Sequence, residues 1–330
     1  MIKIGDLGER RTIEKIIKNL QKSPKMKMPF GDDVAAISLN ARTLAVLKTD
    51  MLVGETDIPP GMTLRQAARK AVIMNISDFA AKGVKPEAVL TSLGLPRSTT
   101  ETEIDEISHG LSDGVEEYNT YIVGGDTGES SCLIICCMVF GTSHPKNLIT
   151  RSGAKPGDLL AVTGPFGKTS VGLKILLENL KTVGEEKNML DAVYMPKARL
   201  NEGLALSRTG AVSASIDSSD GLAVSLYELQ KMSKVGFSIT KVPIAEEVVK
   251  FASRNDLDPE ELALYCGEEY ELVLTINPKD WDRAQQAAHV VGTNLIEIGC
   301  VTENQDIVLS VRGVEKKISY RGWEHFRCVR

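Results

Sequence analysis

The chain has 330 residues, of which 42% are hydrophobic and 25% charged, a balance typical of a globular protein with a sizeable core. A net charge of −5 and a pI of about 5.6 argue against general nucleic-acid binding, which normally requires a basic face. No run of about 18 apolar residues is present, and the N-terminus carries charges where a signal peptide would need an apolar stretch. We therefore expect a cytoplasmic protein of about two domains that has no membrane span.

The first half alternates strand-like and helix-like segments. TLAVLKTDML (43–52) has the composition of a strand, and Thr63 can cap a helix that stops at Gly83. On that helix Asn75 and Asp78 are three residues apart and therefore share a face. The next predicted elements are the strand AVLTSLGLP, a helix near 101–117, and the strands TYIVGGDTG and SCLIICCMVFG.

A break is predicted at 144–158, where HPKNLITRSGAKPGD combines two prolines and two glycines with several polar residues. The later predicted elements are the strand and turn DLLAVTGPFG, the strand and loop ASIDSSDG, the helix LAVSLYELQKMSK, the strands GFSITKVPI and EYELVLTI, and a helix and strand through LIEIGCV. Because both halves mix strands with helices, we predict an α/β protein of the α+β type with two domains, 1–147 and 148–330.

The most informative residues are aspartates in short clusters flanked by glycine or serine: Asp32, Asp33, Asp50, Asp78, Asp126, Asp217 and Asp220. An acidic residue in an apolar stretch is costly unless something pairs with it. Hard divalent cations bound through oxygen are the usual compensation, and Mg²⁺ combines carboxylates with substrate phosphates. The pattern therefore predicts a phosphate site with several metal ions, and hence phosphoryl transfer.

Two of these motifs carry most of the prediction. In VGGDTG the two glycines let a phosphate approach the backbone closely, directly before Asp126. In SIDSSDGL a strand delivers Asp217, and Asp220 then opens a helix whose N-terminus favours a phosphate. Simpler interpretations remain open: Asp220 could only cap the helix, and Asp50 could only be a buried hydrogen-bonding residue.

Other patterns point away from alternative chemistries. GPFGKTS (164–170) resembles the end of a P-loop, but Val162 stands where that motif requires glycine, so a turn into a helix is predicted. None of the four histidines lies in a nucleophile or zinc motif. No CxxC pair is present, and we expect reduced thiols at Cys132, Cys136, Cys137, Cys266, Cys300 and Cys328.

Taken together, these segments resemble the thiamine-monophosphate kinases, within the superfamily that also contains aminoimidazole ribonucleotide synthetase. The resemblance is carried by GDDVAAI, KTDMLV, AVIMNISDFAAKGVKP, IVGGDTGES, ITRSGAKPGDLLAVTGPFG, SIDSSDGL, CGEEYEL and RGWEHF. It implies ATP-dependent phosphorylation of thiamine monophosphate to thiamine diphosphate with several Mg²⁺ ions. It also implies a homodimer in which the N-terminal sheets of two subunits join into a barrel, with the C-terminal α/β domains beside it.

The resemblance also implies roles for single residues. The implied metal-ligand positions are Asp33, Thr49, Asp50, Asp78, Asp126, Asp217 and Asp220, with Lys48 acting through its backbone oxygen and Asp32 through water. The implied ATP contacts are Gly125, Asp126, Arg151 and Ser219, and the implied substrate contacts are Asp57, Glu268 and Trp323. Of these residues, Asp78, Asp126, Asp220 and Arg151 are expected to act in catalysis.

The residue types suit these roles. Arg151 could bind a phosphate through two parallel hydrogen bonds, which a lysine does less well. Trp323 could stack on a cationic ring, and Glu268 could pair with the ring charge or with an amino group. Because the acceptor's own phosphate oxygen can attack the γ-phosphorus in line, no phosphoenzyme is expected.

Three positions depart from the family pattern. Asp57 stands where a substrate-contacting histidine is common, Lys48 where a small hydroxyl residue is common, and Ser112 where an aromatic residue often lies near the adenine. Two other functions stay open: another ATP-dependent enzyme of the same superfamily, or a non-catalytic regulator that binds MgATP. A maturation factor of the superfamily would need a reactive C-terminal cysteine, and Cys328 is not the terminal residue.

Overall fold

The computed structural model describes residues 2–178, 180, 182–184, 186–311 and 313–326, so that Cys328 lies outside the described residues. The described helices are α1 (Ile4–Lys18), α2 (Gly54–Asp57), α3 (Leu64–Lys82), α4 (Glu101–Glu117), α5 (Lys168–Glu178), α6 (Lys187–Tyr194), α7 (Leu200–Thr209), α8 (Leu222–Ser233), α9 (Glu246–Asn255), α10 (Pro259–Tyr265) and α11 (Trp281–Val290). The described strands are β1 (Ala35–Ser38), β2 (Leu44–Val53), β3 (Ala88–Leu95), β4 (Ile122–Glu129), β5 (Ile134–Ser143), β6 (Leu159–Val162), β7 (Val212–Asp217), β8 (Gly236–Ile239), β9 (Leu272–Ile276), β10 (Ile296–Thr302), β11 (Ile307–Val311) and β12 (Val314–Lys317).

The strands form two sheets, which confirms the predicted mixed α/β class. The first sheet has the order β1-β2-β5-β3-β4, with β3 and β4 parallel and the other neighbours antiparallel. The second has the order β12-β11-β8-β10-β6-β9-β7, with β8 and β11 parallel and the other neighbours antiparallel. The predicted boundary at 147/148 falls in the connection between the two sheets.

Helix α3 connects the two sheets. It begins as the sequence predicts, because the Thr63 hydroxyl accepts a hydrogen bond from Gln66 N at 3.1 Å, and it ends at Gly83, whose φ of 63° glycine adopts readily. Most of its residues are buried on every side, which is unusual for a helix and indicates packing from several directions. The elements that it contacts are α4, α6, α7, β2, β5 and β7.

The burial of α3 has two consequences. Its apolar side chains share one core with residues of β6 and β9, so the helix belongs to the packing of both sheets. Its polar side chains, among them Asn75, Ser77 and Asp78, are held in a protein interior and must find partners there. None of the described helices, α3 included, combines the length and apolar character that a membrane span requires.

One face of the first sheet is open. Along β5 the residues Ile135, Cys137 and Val139 are buried, whereas the residues between them are only partly covered. Met51 of β2 and Leu90 of β3 are exposed at 58% and 39%, and every residue of the edge strand β4 is exposed. An open apolar face beside the free edge of a sheet is a surface suited to a protein partner.

We predict that Gly203→Ala lowers the free energy of unfolding by about 1–3 kcal/mol, because overpacking a close contact forces the backbone to move. The new Cβ would lie 1.9 Å from the carbonyl oxygen of Ala80 in α3. The measurement is chemical denaturation followed by circular dichroism. Gly5→Ala in α1 is the matched control, because its Cβ would meet nothing closer than 3.7 Å. Equal stabilities of the two variants would contradict this account of the contact between α3 and α7.

Candidate active site

Three aspartates from distant parts of the chain meet in one buried group. Asp33 precedes β1, Asp78 lies on α3, and Asp217 ends β7. Each offers a carboxylate oxygen, and these oxygens all lie within 4.8 Å of one another. We call Asp33, Asp78 and Asp217 the carboxylate cluster. They meet because α3 packs against β7, a contact that cannot be predicted from the sequence motifs alone.

Two cations hold the Asp33 end of the cluster. Lys82 Nζ lies 2.8 Å from Asp32 Oδ1 and 2.6 Å from Asp33 Oδ2, and it donates to the Ser215 carbonyl at 2.7 Å. Arg151 Nε donates to Asp33 Oδ1 at 2.7 Å, and a second guanidinium nitrogen contacts the same oxygen. Burial alone would raise the pKa of Asp33, but the charges of Arg151 and Lys82 outweigh it and hold that pKa below its ordinary value.

A third cation lies at the Asp78 end. Lys48 Nζ is 3.1 Å from Asp50 Oδ1 and 3.0 Å from Asp78 Oδ2. Lys48 and Asp50 are two residues apart on β2, so both side chains project from the face that α3 covers. The amide of Asp50 donates to Asn75 Oδ1 at 2.9 Å, which ties the strand to the helix at this point.

Three carboxyl groups of the site, those of Asp78, Asp217 and Asp220, are difficult to ionise. Burial raises the pKa of Asp78 well above its ordinary value; Lys48 opposes this shift, and the charges of Asp217 and Asp50 add to it. Burial, with the nearby charge of Asp33, raises the pKa of Asp217 to about 6, although Ser77 donates a 2.6 Å hydrogen bond to that carboxylate. Burial likewise raises the pKa of Asp220 to about 6. Crowded buried carboxylates of this kind are an oxygen donor set suited to Mg²⁺.

Two predicted ligand positions lie apart from the cluster. The Thr49 hydroxyl donates to the Cys137 carbonyl at 3.0 Å, and its side chain projects from the face of β2 opposite to that of Asp50. Asp126 is exposed on β4, and its cross-strand neighbours are Ser92, Cys136 and Met51. It therefore shares the open face of the sheet, three strand spacings or about 14 Å from β2.

The three predicted substrate residues line a single cavity of about 300 Å³. Its lining residues are Glu55, Thr56, Asp57, Ile58, Pro59, Pro60, Lys70, Leu173, Leu177, Cys266, Gly267, Glu268 and Trp323. We call it the Trp323 cavity. Lys70, a buried residue of α3, lies with its Nζ 2.5 Å from Glu268 Oε1 and donates to the Asp57 carbonyl at 3.1 Å. The Asp57 carboxylate accepts a 2.7 Å hydrogen bond from Val53 N, so it fixes its own loop.

The loop 218–220 joins this cavity to the carboxylate cluster. The amide of Trp323 donates to the Asp220 carbonyl at 3.1 Å, and the amide of Glu268 donates to the Ser219 carbonyl at 2.7 Å. Glu268 and Tyr270 have φ angles of 64° and 53°, values that non-glycine residues adopt at a cost of about 1–3 kcal/mol. Backbone strain next to a cavity and an acidic cluster is typical of a functional site.

The backbone amides of the P-loop-like segment 164–170 bind a carboxylate of the protein itself. Glu269 Oε1 accepts hydrogen bonds from Gly167 N at 2.7 Å and Thr169 N at 3.2 Å, at the N-terminus of α5. A carboxylate thus holds the amides that a P-loop would offer to a phosphate. Burial raises the pKa of Glu269 to about 8.

Comparison with known proteins identifies the family. A family model described as AIR synthase related protein, N-terminal domain, matches residues 31–143. The thiamine-monophosphate kinase of Nitrosopumilus maritimus is 37% identical over 94% of this chain and 97% of its own length. That of Pyrococcus horikoshii is 36% identical over 90% of this chain and 91% of its own length. The chain belongs to the thiamine-monophosphate kinase family.

Solved structures of thiamine-monophosphate kinases have the same fold. AaThiL complexed with AMPPCP and TMP superimposes with a TM-score of 0.85 at 27% identity, covering 98% of this chain and 99% of that one. The thiamine monophosphate kinase of Aquifex aeolicus gives a TM-score of 0.78 at 25% identity, covering 96% and 99%. These matches confirm the resemblance inferred from the motifs.

Sequence reasoning missed two lysines of the site, although it included Lys48. Lys70 and Lys82 lie on α3 inside the stretch that carries Asn75 and Asp78, and both are almost fully buried. The signal available in the sequence was the spacing, because Lys82 follows Asp78 by four residues and so lies one turn further along the helix.

We predict that saturating Mg²⁺ raises the melting temperature of the wild type and that Asp217→Asn removes most of this increase. An ion that binds only the folded state contributes about 2.7 kcal/mol at 100 times its dissociation constant. Differential scanning calorimetry with and without EDTA measures the effect. Asp158→Asn is the control, because Asp158 is a buried aspartate that accepts from Ser213 Oγ at 2.6 Å. The same Mg²⁺ increment in both variants would contradict the proposed ligand set.

We also predict that Glu269→Gln gains stability relative to the wild type as the pH rises from 5 to 9. The pKa of about 8 in the folded state exceeds the ordinary value of 4.5, so the folded state binds the proton more tightly. The contribution of Glu269 is then complete below about pH 4.5 and is lost as the pH rises through 8. Thermal unfolding at several pH values tests this, and Glu246→Gln on the exposed start of α9 should show no such drift.

Proposed function

We propose that this protein is a thiamine-monophosphate kinase that transfers the γ-phosphate of ATP to thiamine monophosphate, giving thiamine diphosphate and ADP. The observation that carries the proposal is a direct contact between the aromatic Trp323 cavity and the loop that carries Asp220. The half-exposed Trp323 and the acidic loop are joined by the hydrogen bond from Trp323 N to the Asp220 carbonyl. A ring bound in the Trp323 cavity would therefore extend its phosphate toward the carboxylates.

The carboxylate cluster fits Mg²⁺, because its donors are buried oxygens within 4.8 Å of one another. Asp33, Asp78 and Asp217 would hold the ion, with Asp220 close by in the sequence. When bound, Mg²⁺ neutralises phosphate charge and orients the transferring group. Arg151, which already contacts Asp33, would turn its partly exposed guanidinium toward a phosphate oxygen. Gly125 and Asp126 on β4, and Ser219, are proposed contacts for ATP.

The chain's own side chains bind and orient the substrates, and no protein nucleophile is needed. Cys266 is the thiol on the wall of the Trp323 cavity, and burial raises its pKa to about 12. It is therefore protonated at neutral pH and is a poor nucleophile. Direct in-line attack by the acceptor phosphate accounts for the reaction without a phosphoenzyme.

The substrate ring would be recognised by stacking on Trp323 and by the Glu268 carboxylate, whose charge is balanced by Lys70. Trp323 is 42% exposed and lines the cavity, so part of its indole is accessible for stacking on a ring. Glu268 is already paired with Lys70, so it would accept a hydrogen bond from an amino group while Lys70 balances its charge. Asp57 contributes by holding its loop against Val53 N at the cavity rim.

We further propose a cytoplasmic homodimer built from two domains per chain, 1–147 and 148–330. The open face of the first sheet supports this assembly, because Met51 and Leu90 expose apolar surface there and β4 leaves a free edge. A second copy covering this face would join the two N-terminal sheets into a barrel. Light scattering of the purified protein should then give a mass of two chains.

We predict stoichiometric thiamine diphosphate and ADP when the purified protein is incubated with MgATP and thiamine monophosphate and the products are separated chromatographically. Asp78→Asn and Asp220→Asn should abolish turnover while the far-ultraviolet circular dichroism is unchanged, because removal of ligand charge acts on the transition state. If protein shown to bind MgATP forms no diphosphate, the kinase assignment is wrong. That outcome would favour another enzyme of the superfamily or a non-catalytic MgATP-binding regulator.

Trp323→Ala should raise the KM for thiamine monophosphate roughly tenfold and leave the KM for ATP nearly unchanged, because it removes stacking worth about 1–2 kcal/mol. Initial rates at varied concentrations of each substrate measure both constants. Trp323→Phe should restore most of the loss, since a ring is retained. Equal effects on the two KM values would contradict a role for Trp323 in binding the acceptor.

A further inference from the structure

Lys48 occupies an unusual place in the site. Its ammonium bridges two carboxylates, at 3.1 Å from Asp50 Oδ1 and 3.0 Å from Asp78 Oδ2. Both partners are fixed: Asp78 lies on the buried helix α3, and the amide of Asp50 donates to Asn75 Oδ1 at 2.9 Å. The bridge is therefore part of the fold, because the strand β2 and the helix α3 that form it are held together by other contacts.

A divalent ion shared by Asp50 and Asp78 would bind the same two carboxylates that the Lys48 ammonium contacts. Mg²⁺ binds oxygen at about 2.0–2.1 Å, so it would lie in the space between the carboxylates that the ammonium fills. The two cations are alternatives at this point, because their charges repel and their ligands coincide. A small hydroxyl side chain at position 48 would leave that space empty.

The other cations of the site contact different carboxylates, and Lys48 alone among the described cations pairs with Asp50 and Asp78. Lys82 and Arg151 contact Asp32 and Asp33, whereas Lys48 is the cation that contacts Asp50 and Asp78 among the described residues. A protonated lysine has three N–H donors, and two of them suffice for these carboxylates. The side chain is 20% exposed, so part of it is accessible to a bound substrate.

We propose that the Lys48 ammonium is a tethered cation that takes the place of one divalent ion between Asp50 and Asp78. This inference rests on the metal-binding role proposed above for the aspartates. The chain would then bind Mg²⁺ at the carboxylate cluster alone, and it would keep one positive charge at the phosphate site even at low Mg²⁺ concentration. Lys48 would contact the phosphate directly, in a position where its backbone oxygen alone was expected to act.

The test is a count of bound Mn²⁺ per chain, made by electron paramagnetic resonance of the free ion in the absence of substrates. Lys48→Thr should bind one more Mn²⁺ than the wild type, because the freed carboxylates become a metal site. Lys48→Arg keeps a tethered charge and should match the wild type. Lys317→Thr is the matched control, since Lys317 pairs with Asp306 at 3.1 Å on the distant strand β12. An unchanged count in Lys48→Thr would overturn the proposal.

Thermal unfolding gives a second readout that a purely structural lysine would not produce. Lys48→Thr should melt at a lower temperature than the wild type in EDTA and recover most of the difference in saturating Mg²⁺. If the melting temperature of Lys48→Thr does not approach that of the wild type in saturating Mg²⁺, the proposal would also be overturned, because the ion would have failed to replace the ammonium. Neither measurement needs thiamine monophosphate. The expected Mn²⁺ counts without diphosphate formation would reject the kinase assignment and leave the tethered cation standing.

Discussion

The concentration of negative charge where α3 meets β2 and β7 is the constraint on which the rest of the structure depends. Buried carboxylates are tolerated only when cations or hydrogen-bond donors accompany them. Lys82 and Arg151 supply that charge at Asp33, and Lys48 supplies it at Asp78. The Asp217 carboxylate accepts a hydrogen bond from the Ser77 hydroxyl and forms no ion pair with a described residue. Burial and the charge of Asp33 raise the pKa of Asp217 to about 6, as expected for a carboxylate whose charge is not fully balanced. The fold thus keeps in its interior a deficit of positive charge suited to a metal–phosphate complex.

The sequence allowed a good part of this arrangement to be predicted. The aspartates were visible because each interrupts an apolar segment or follows a glycine, and Thr63 and Gly83 defined the helix that carries Asp78. These signals are local. They depend on the chemistry of a residue and its immediate neighbours, which a single sequence contains.

The parts that could not be predicted depend on contacts between distant segments. The meeting of Asp33, Asp78 and Asp217 requires α3 to pack against β7, and no spacing rule gives that contact. Lysines are common on exposed helices, so the sequence does not predict that Lys70 and Lys82 are buried, although the spacing places Lys82 one turn from Asp78. Thr49 and Asp50 are adjacent in the sequence, but successive side chains of a strand point to opposite faces, so the two lie on different sides of the sheet.

Helix α3 also acts as a spacer of fixed length. Lys70, in its first half, lines the Trp323 cavity, and Asp78, eight residues later, belongs to the carboxylate cluster. At 1.5 Å per residue the two positions are about 12 Å apart along the helix axis. Because the helix is buried against both sheets, this separation cannot adjust to the ligand. An acceptor much shorter than this could fill the cavity or present its phosphate to the carboxylates, but not both at once. If the two sites act together as proposed, the rigid helix would therefore select substrates by their length.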